Sequence, residues 1–207
     1  QKTAYEIVDC DWSSDVCSSD LSEIAIEKAR ANGFALVGMH NSWLSGRNAY
    51  YLEKIARAGF AGIHLACSPP VVVPHGGRAP ALGTNPIAFA LPGDPDPVVF
   101  DMGTSATNNG DVILAGRLGN LLPEGVAVDA EGKPTRDPQA ALKGGILPFG
   151  GVHAHKGYGL SFSVQAMGLL AGVALPRGNV QDFGFLFVVF DPALLMPVEQ
   201  FRAELAE

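Results

Sequence analysis

Few residues of this 207-residue chain have a type and setting suited to chemistry. Asp101 closes the strand-like run Val98 to Met102, where a carboxylate is placed to accept hydrogen bonds from sugar hydroxyls; it could equally cap a helix following Thr104. Lys156 opens a long apolar segment. A cation there opposes the helix dipole unless an anion lies nearby, the alternative being a lysine that snorkels to solvent. Ser68 and Thr84 flank a Pro- and Gly-rich stretch and serve as ligand contacts or as loop-capping and turn-forming residues. Of the five histidines, His40, His64, His75, His153 and His155, the last two are two residues apart with no acid close in sequence. That spacing is poor for zinc, so solvated loop histidines and no metal site are expected. Neither G-x-G-x-x-G after a strand nor G-x4-G-K-S/T occurs, so a nucleotide would need another scaffold.

The elements that must position these residues alternate between helix and strand. Ser22 as N-cap with early Glu23 and Glu27 predicts a helix to about Ala31, stopped by Gly33. Phe34 to Met39 reads as a buried strand. Ala49, Leu52, Ile55 and Ala56 recur at helical spacing before Gly59, and Gly62 to Ala66 reads as a second strand. This order predicts an α/β (α+β) fold, a mixed sheet covered by helices. Pro69 to Pro86 must be a long ordered loop, which in a compact domain points to function. Ile87 to Leu91 and Val98 to Met102 read as strands, Thr104 to Leu118 as a helix, and Asp129 to Asp137 as a surface loop. Lys156 to Ala171 is apolar nearly all round and predicts a core helix. Phe183 to Phe190 predicts a strand buried on both faces, with an amphipathic stretch at Phe201 to Leu205.

With 47% hydrophobic residues, 17% charged and a net charge of -7, the composition is that of a folded core, not of a disordered chain. No apolar run approaches the roughly 20 residues of a membrane span, so no membrane partner is expected. The 14 basic residues are scattered singly, which argues against nucleic acid as a partner. Residues 1–21 stand apart: they hold Cys10, Cys17 and a dense Ser/Asp cluster without periodicity, and resemble a translated sequencing-adaptor tract. They are expected to be non-native and disordered, the cofactor-binding unit being residues 22–196 and residues 197–207 the start of a truncated helical segment. With that tract set aside the lone thiol Cys67 suggests a reducing cytoplasm.

Five motifs occur in order: P-H-G-G-R at 74–78, L-G-T-N-P-I-A-F at 82–89, V-F-D-M-G-T-S at 99–105, L-P-F-G-G at 147–151 and H-K-G-Y-G-L at 155–160. Together they resemble the malate/L-lactate dehydrogenase-like family of NAD(P)-dependent oxidoreductases, whose members are longer at both ends. The resemblance implies a non-Rossmann cofactor-binding domain, NAD or NADP as cofactor, a small carboxylated substrate and a homodimer at full length. It places cofactor contacts at Ser45, Gly46, Ser68, Asp101, Met102, Gly103 and Lys156, and a substrate contact at Thr84. Gly103 replaces the alanine usual in the family's D-M-A motif. Leu44 stands where many members carry a histidine that takes the hydroxyl proton, which disfavours alcohol oxidation. The imine reductases of the family use a Ser-His pair outside this chain, assisted by an aspartate that falls on Asp111; a surface acid is the alternative for that residue. The expectation is an NAD(P)H-dependent reductase of cyclic imino acids or 2-keto acids, inactive as this fragment. The alternatives are a 2-hydroxy-acid dehydrogenase and an inactive cofactor-binding or oligomerisation module.

Overall fold

Phe183–Phe190 (β8) runs through the middle of the sheet, and its alternation sorts the core. The computed structural model describes residues 4–9, 18–42, 46–171 and 183–206. In chain order the earlier elements are β1 (Tyr5–Asp9), α1 (Ser18–Asn32), β2 (Phe34–Ser42), α2 (Asn48–Arg57), β3 (Ala61–Cys67), β4 (Ile87–Leu91) and β5 (Val98–Met102). Then come α3 (Asn109–Leu118), β6 (Ala127–Val128), α4 (Pro138–Lys143), β7 (Gly145–Ile146) and α5 (Ala154–Leu170), and after β8 the terminal helix α6 (Val198–Ala206). The six-stranded sheet has the order β1-β2-β8-β3-β4-β5, with β1 parallel to β2 and every other neighbour antiparallel. This is the mixed α/β sheet that the helix-strand alternation predicts.

Phe185, Phe187 and Val189 point to one face, where they pack with Leu21, Ala25 and Ala29 of α1 and Leu52 and Ile55 of α2. Leu186 and Val188 point to the other, against Val164 of α5 together with Leu65, Cys67 and Ile87. A third cluster, Val72, Leu82, Val112, Leu122, Ala127 and Ile146, ties the long loop after β3 to α3 and the small β6-β7 ribbon. The loop is pinned at both ends: Val72 N–H donates to Leu82 O (2.7 Å) and Val73 N–H to Ile146 O (2.9 Å).

Three expectations need correction. Residues 1–21 are not a loose tract throughout. Tyr5–Asp9 adds to the sheet edge in register with Leu36 to His40, and Lys28 Nζ of α1 reaches Glu6 Oε2 at 2.9 Å. Helix α1 begins at Ser18 and buries Leu21 completely. Residues 10–17 lie outside the described residues. The missed strand is a short edge strand, whose five residues carry too little periodicity to stand out. Deleting residues 1–21 is therefore expected to lower stability by about 2–5 kcal/mol in urea unfolding, the scale of losing one buried leucine. An unchanged midpoint would show that β1 and Leu21 contribute nothing.

Helix α3 starts at Asn109, not at Thr104, because the hydroxyls that look like caps are used elsewhere. Thr104 Oγ1 lies within reach of Thr84 O (3.0 Å) and Asn85 O (3.1 Å), and Ser105 Oγ donates to Thr107 O (2.7 Å). Helix α5 is not a core helix. It buries Gly157, Ser161, Val164, Gln165 and Gly168, while Phe162 and Leu170 are 56% and 69% exposed. Its sheet-facing strip is made of small and polar residues, so its large apolar side chains fall on the opposite face.

Candidate functional site

The antiparallel pairings of β3 with β4 and of β4 with β5 bring three chain ends together: Cys67 after β3, Pro86 before β4 and Met102 at the end of β5. The N-terminus of α2 points at the same place. A cavity of about 400 Å³ opens there. Six of the positions singled out in the sequence line it: Gly46, Ser68, Thr84, Asp101, Met102 and Gly103. Asn48, Cys67 and Asn108 line it as well and carried no sequence signal, since asparagines near helix starts read as caps and a buried cysteine as core. Ser45 and Leu44 lie outside the described residues.

Asp101 does act at a helix start, but not the one expected from sequence. Its Oδ2 accepts the Ala49 N–H (2.9 Å), which fixes α2 to the end of β5 and leaves Oδ1 to accept a further hydrogen bond. Gly103 is not glycine for steric relief. A Cβ there would meet Asn108 Oδ1 at 3.4 Å and Ser105 Oγ at 3.6 Å, ordinary contacts, so the missing methyl simply widens the cavity.

Ser68 and Thr84 are held side by side by a buried amide that sequence reading passed over as a turn residue. Asn85, fully buried with φ +34°, accepts the Ser68 N–H on Oδ1 (3.4 Å). Its Nδ2 donates to Gln165 Oε1 (3.0 Å) and to Ser161 O (3.2 Å) of α5. Thr84 N–H donates to Ser68 Oγ (3.1 Å). One side chain thus locks the cavity wall to the helix behind it.

Lys156 and Asp111 are placed less directly. Lys156 is exposed in the first turn of α5 and is not among the residues lining the cavity, so it does not meet Asp101 in one pocket as expected. It approaches through the backbone: Phe149 N–H donates to Thr104 O (3.2 Å), one residue past Gly103, and Gly157 packs against the Phe149 carbonyl. Asp111, exposed in the first turn of α3, lines a different hollow with Leu114 and Leu118. Its link to the cavity is Asn108, whose Nδ2 donates to Asp111 Oδ2 (3.1 Å).

Two residues before Ala66, on the same face of β3, His64 is completely buried. It stacks on Phe187 with ring centres 4.1 Å apart and meets Tyr51 edge-on. Neither ring nitrogen has a partner of full hydrogen-bond geometry. Burial lowers its pKa from 6.5 to about 3, the backbone of Asn48 opposing the shift only in part. Because the unfolded chain takes up this proton near pH 6.5 and the folded one does not until about pH 3, the contribution is complete above pH 6.5. It is lost as pH falls through that window, at up to about 1.4 kcal/mol per pH unit. His64→Leu is expected to flatten the acid limb of stability against pH between 6.5 and 3; an unchanged limb would assign it to carboxylates alone.

A mixed sheet with a polar cavity at its strand ends, reached by a Gly-Ser-Thr loop and a helix N-terminus, defines a small-molecule-binding α/β domain without a Rossmann phosphate loop. The chain belongs to the malate/L-lactate dehydrogenase family, whose profile matches residues 3–207. It is 44% identical over 194 residues to an L-sulfolactate dehydrogenase of Methanothermobacter thermautotrophicus, covering 89% of this chain and 56% of the relative. It is 48% identical over 159 residues to a Delta(1)-pyrroline-2-carboxylate/Delta(1)-piperideine-2-carboxylate reductase of Pseudomonas putida, covering 76% and 45%. The structure of a putative malate/lactate dehydrogenase from E. coli superposes with a TM-score of 0.88 at 29% identity, covering 98% of this chain and 60% of that one. The chain thus spans about half the length of the curated relatives it matches.

Proposed function

We propose that the chain is the cofactor-binding part of an NAD(P)H-dependent reductase of small carboxylated cyclic imines or 2-keto acids. The observation that carries this reading is the convergence of Gly46, Ser68, Thr84, Asp101 and Met102 on one cavity. Its donor set fits the nicotinamide end of the cofactor. Asp101 Oδ1 can accept from ribose hydroxyls, the Ser68 and Thr84 hydroxyls can bond an amide or a carboxylate, and Met102 supplies an apolar wall. When bound, the cofactor supplies a hydride. The chain's own residues bind and orient: Thr84 holds the substrate carboxylate against the Ser68 side of the cavity, and Asp101 fixes the ribose. Asn108 joins the cavity to Asp111, which acts as a positioning residue. Lys156 meets a cofactor phosphate at the rim. In the full-length protein the assembly is a homodimer.

The first test is direct titration of NADH and NADPH into the protein. Lys156→Ala is expected to weaken binding by about 1.5–3 kcal/mol, the scale of a charge-assisted hydrogen bond. Equal affinity in both proteins would remove Lys156 from the site. A second reading, oxidation of a 2-hydroxy acid, is favoured by the similarity to a sulfolactate dehydrogenase over 89% of the chain. Turnover of a chain extended to the length of its relatives decides between them, with cyclic imino acids and 2-keto acids assayed beside 2-hydroxy acids.

A further inference from the structure

We propose that His75, His153 and His155 form a binding site for one divalent transition-metal ion that clamps the Pro69–Pro86 loop to the head of α5. Two segments far apart in sequence meet here. The ring of His155 lies 6.0 Å from that of His75 and 6.1 Å from that of His153, centre to centre, at interplanar angles of 64° and 81°. Both backbones are held in place. His75 sits in a turn closed by Gly77 N–H to Pro74 O (2.8 Å), two residues after Val73 bonds Ile146. His153 N–H donates to Gly150 O (2.8 Å) in the single turn that leads into α5. No carboxylate pairs with any of the three rings among the described residues.

The spacing is close to that of shared ligation. An ion about 2.0–2.1 Å from one nitrogen of each ring lies ~3.2 Å from each ring centre, and tetrahedral angles then separate the centres by ~5.2 Å. As the rings stand, no three His, Cys, Asp or Glu among the described residues close on an ion. Closing each pair by under about 1 Å needs only side-chain rotation, because all three histidines are exposed and free to turn. Imidazoles without carboxylates select Zn²⁺, Ni²⁺ or Cu²⁺ over Ca²⁺ and Mg²⁺. The bound ion would fasten the loop that carries Ser68 and Thr84 at its ends to the helix that already holds Asn85.

The test is isothermal titration of Zn²⁺ into the metal-free 207-residue chain, with thermal unfolding measured alongside. The expected result is one ion per chain, with His75→Ala, His153→Ala and His155→Ala each weakening binding at least tenfold. Saturating Zn²⁺ should raise the Tm of the parent protein and leave that of His75→Ala unmoved. Absence of binding overturns the proposal. So does binding that survives His75→Ala, and so does binding that disappears only in a Cys10→Ser/Cys17→Ser variant, which would place the ion on thiols.

Discussion

Asn85→Ala is expected to lower folding stability by about 3–6 kcal/mol, well beyond the usual effect of a point substitution. The side chain is fully buried and its amide satisfies partners on two elements: the Ser68 N–H on one side, Gln165 Oε1 and Ser161 on the other. Truncation leaves those groups buried, and each unsatisfied group costs about 1–3 kcal/mol. The backbone adds to the loss, since φ +34° is tolerated by asparagine and glycine better than by alanine. Asn85→Asp keeps the shape but sets a carboxylate against Gln165 Oε1 and the Ser161 carbonyl, and should cost at least as much. Urea denaturation gives the energy, and hydrogen exchange at the Ser68 amide reports whether that bond is what fails. A loss below 1 kcal/mol with unchanged Ser68 protection would show that the network is incidental.

Much of this architecture is legible in the chain because it depends on local pattern. Ile87–Leu91 and Val98–Met102 carry strand-length runs bounded by Pro, Gly and Asp, and their limits coincide with β4 and β5. Gly33 and Gly59, with φ of +77° and +93°, end α1 and α2 where left-handed backbone is required. What stays hidden depends on tertiary context. The hydroxyls of Thr104 and Ser105 resemble caps until Thr84 O and Thr107 O are seen to take them. The apolar circumference of α5 reads as core until its buried strip proves to be Gly157, Ser161, Val164, Gln165 and Gly168. Asn85 is visible as one letter of G-T-N-P, yet nothing local says that its amide faces a helix 76 to 80 residues away. His75 likewise has no sequence relation to His155, so the histidine cluster exists only in the fold.

The 207-residue chain is expected to turn over a cyclic imino acid or 2-keto acid about 10²- to 10⁴-fold more slowly than a chain extended to the length of its relatives, while still binding the cofactor. The reason is in the composition of the cavity. Reduction of C=N or C=O needs a proton as well as a hydride, and a donor must stand within hydrogen-bond reach of the reacting atom. Among the described residues lining the cavity, the ionisable side chains are Asp101 and Cys67. Asp101 accepts the Ala49 N–H, and the Cys67 thiol is buried and donates to Val164 O at 3.5 Å. Asp111 accepts a hydrogen bond from Asn108 and stands outside the cavity, an arrangement suited to orienting a donor and not to being one. In the extended protein Asp111→Asn should therefore lower kcat by tenfold or more and leave cofactor affinity within about twofold, the pattern of a positioning residue that acts through a neighbour. Steady-state assays of the two chains, beside cofactor titration of each, supply the comparison. Equal turnover would mean that the proton comes from a group within these 207 residues, and loss of cofactor binding in the shorter chain would move the hydride site, not the proton donor, outside it.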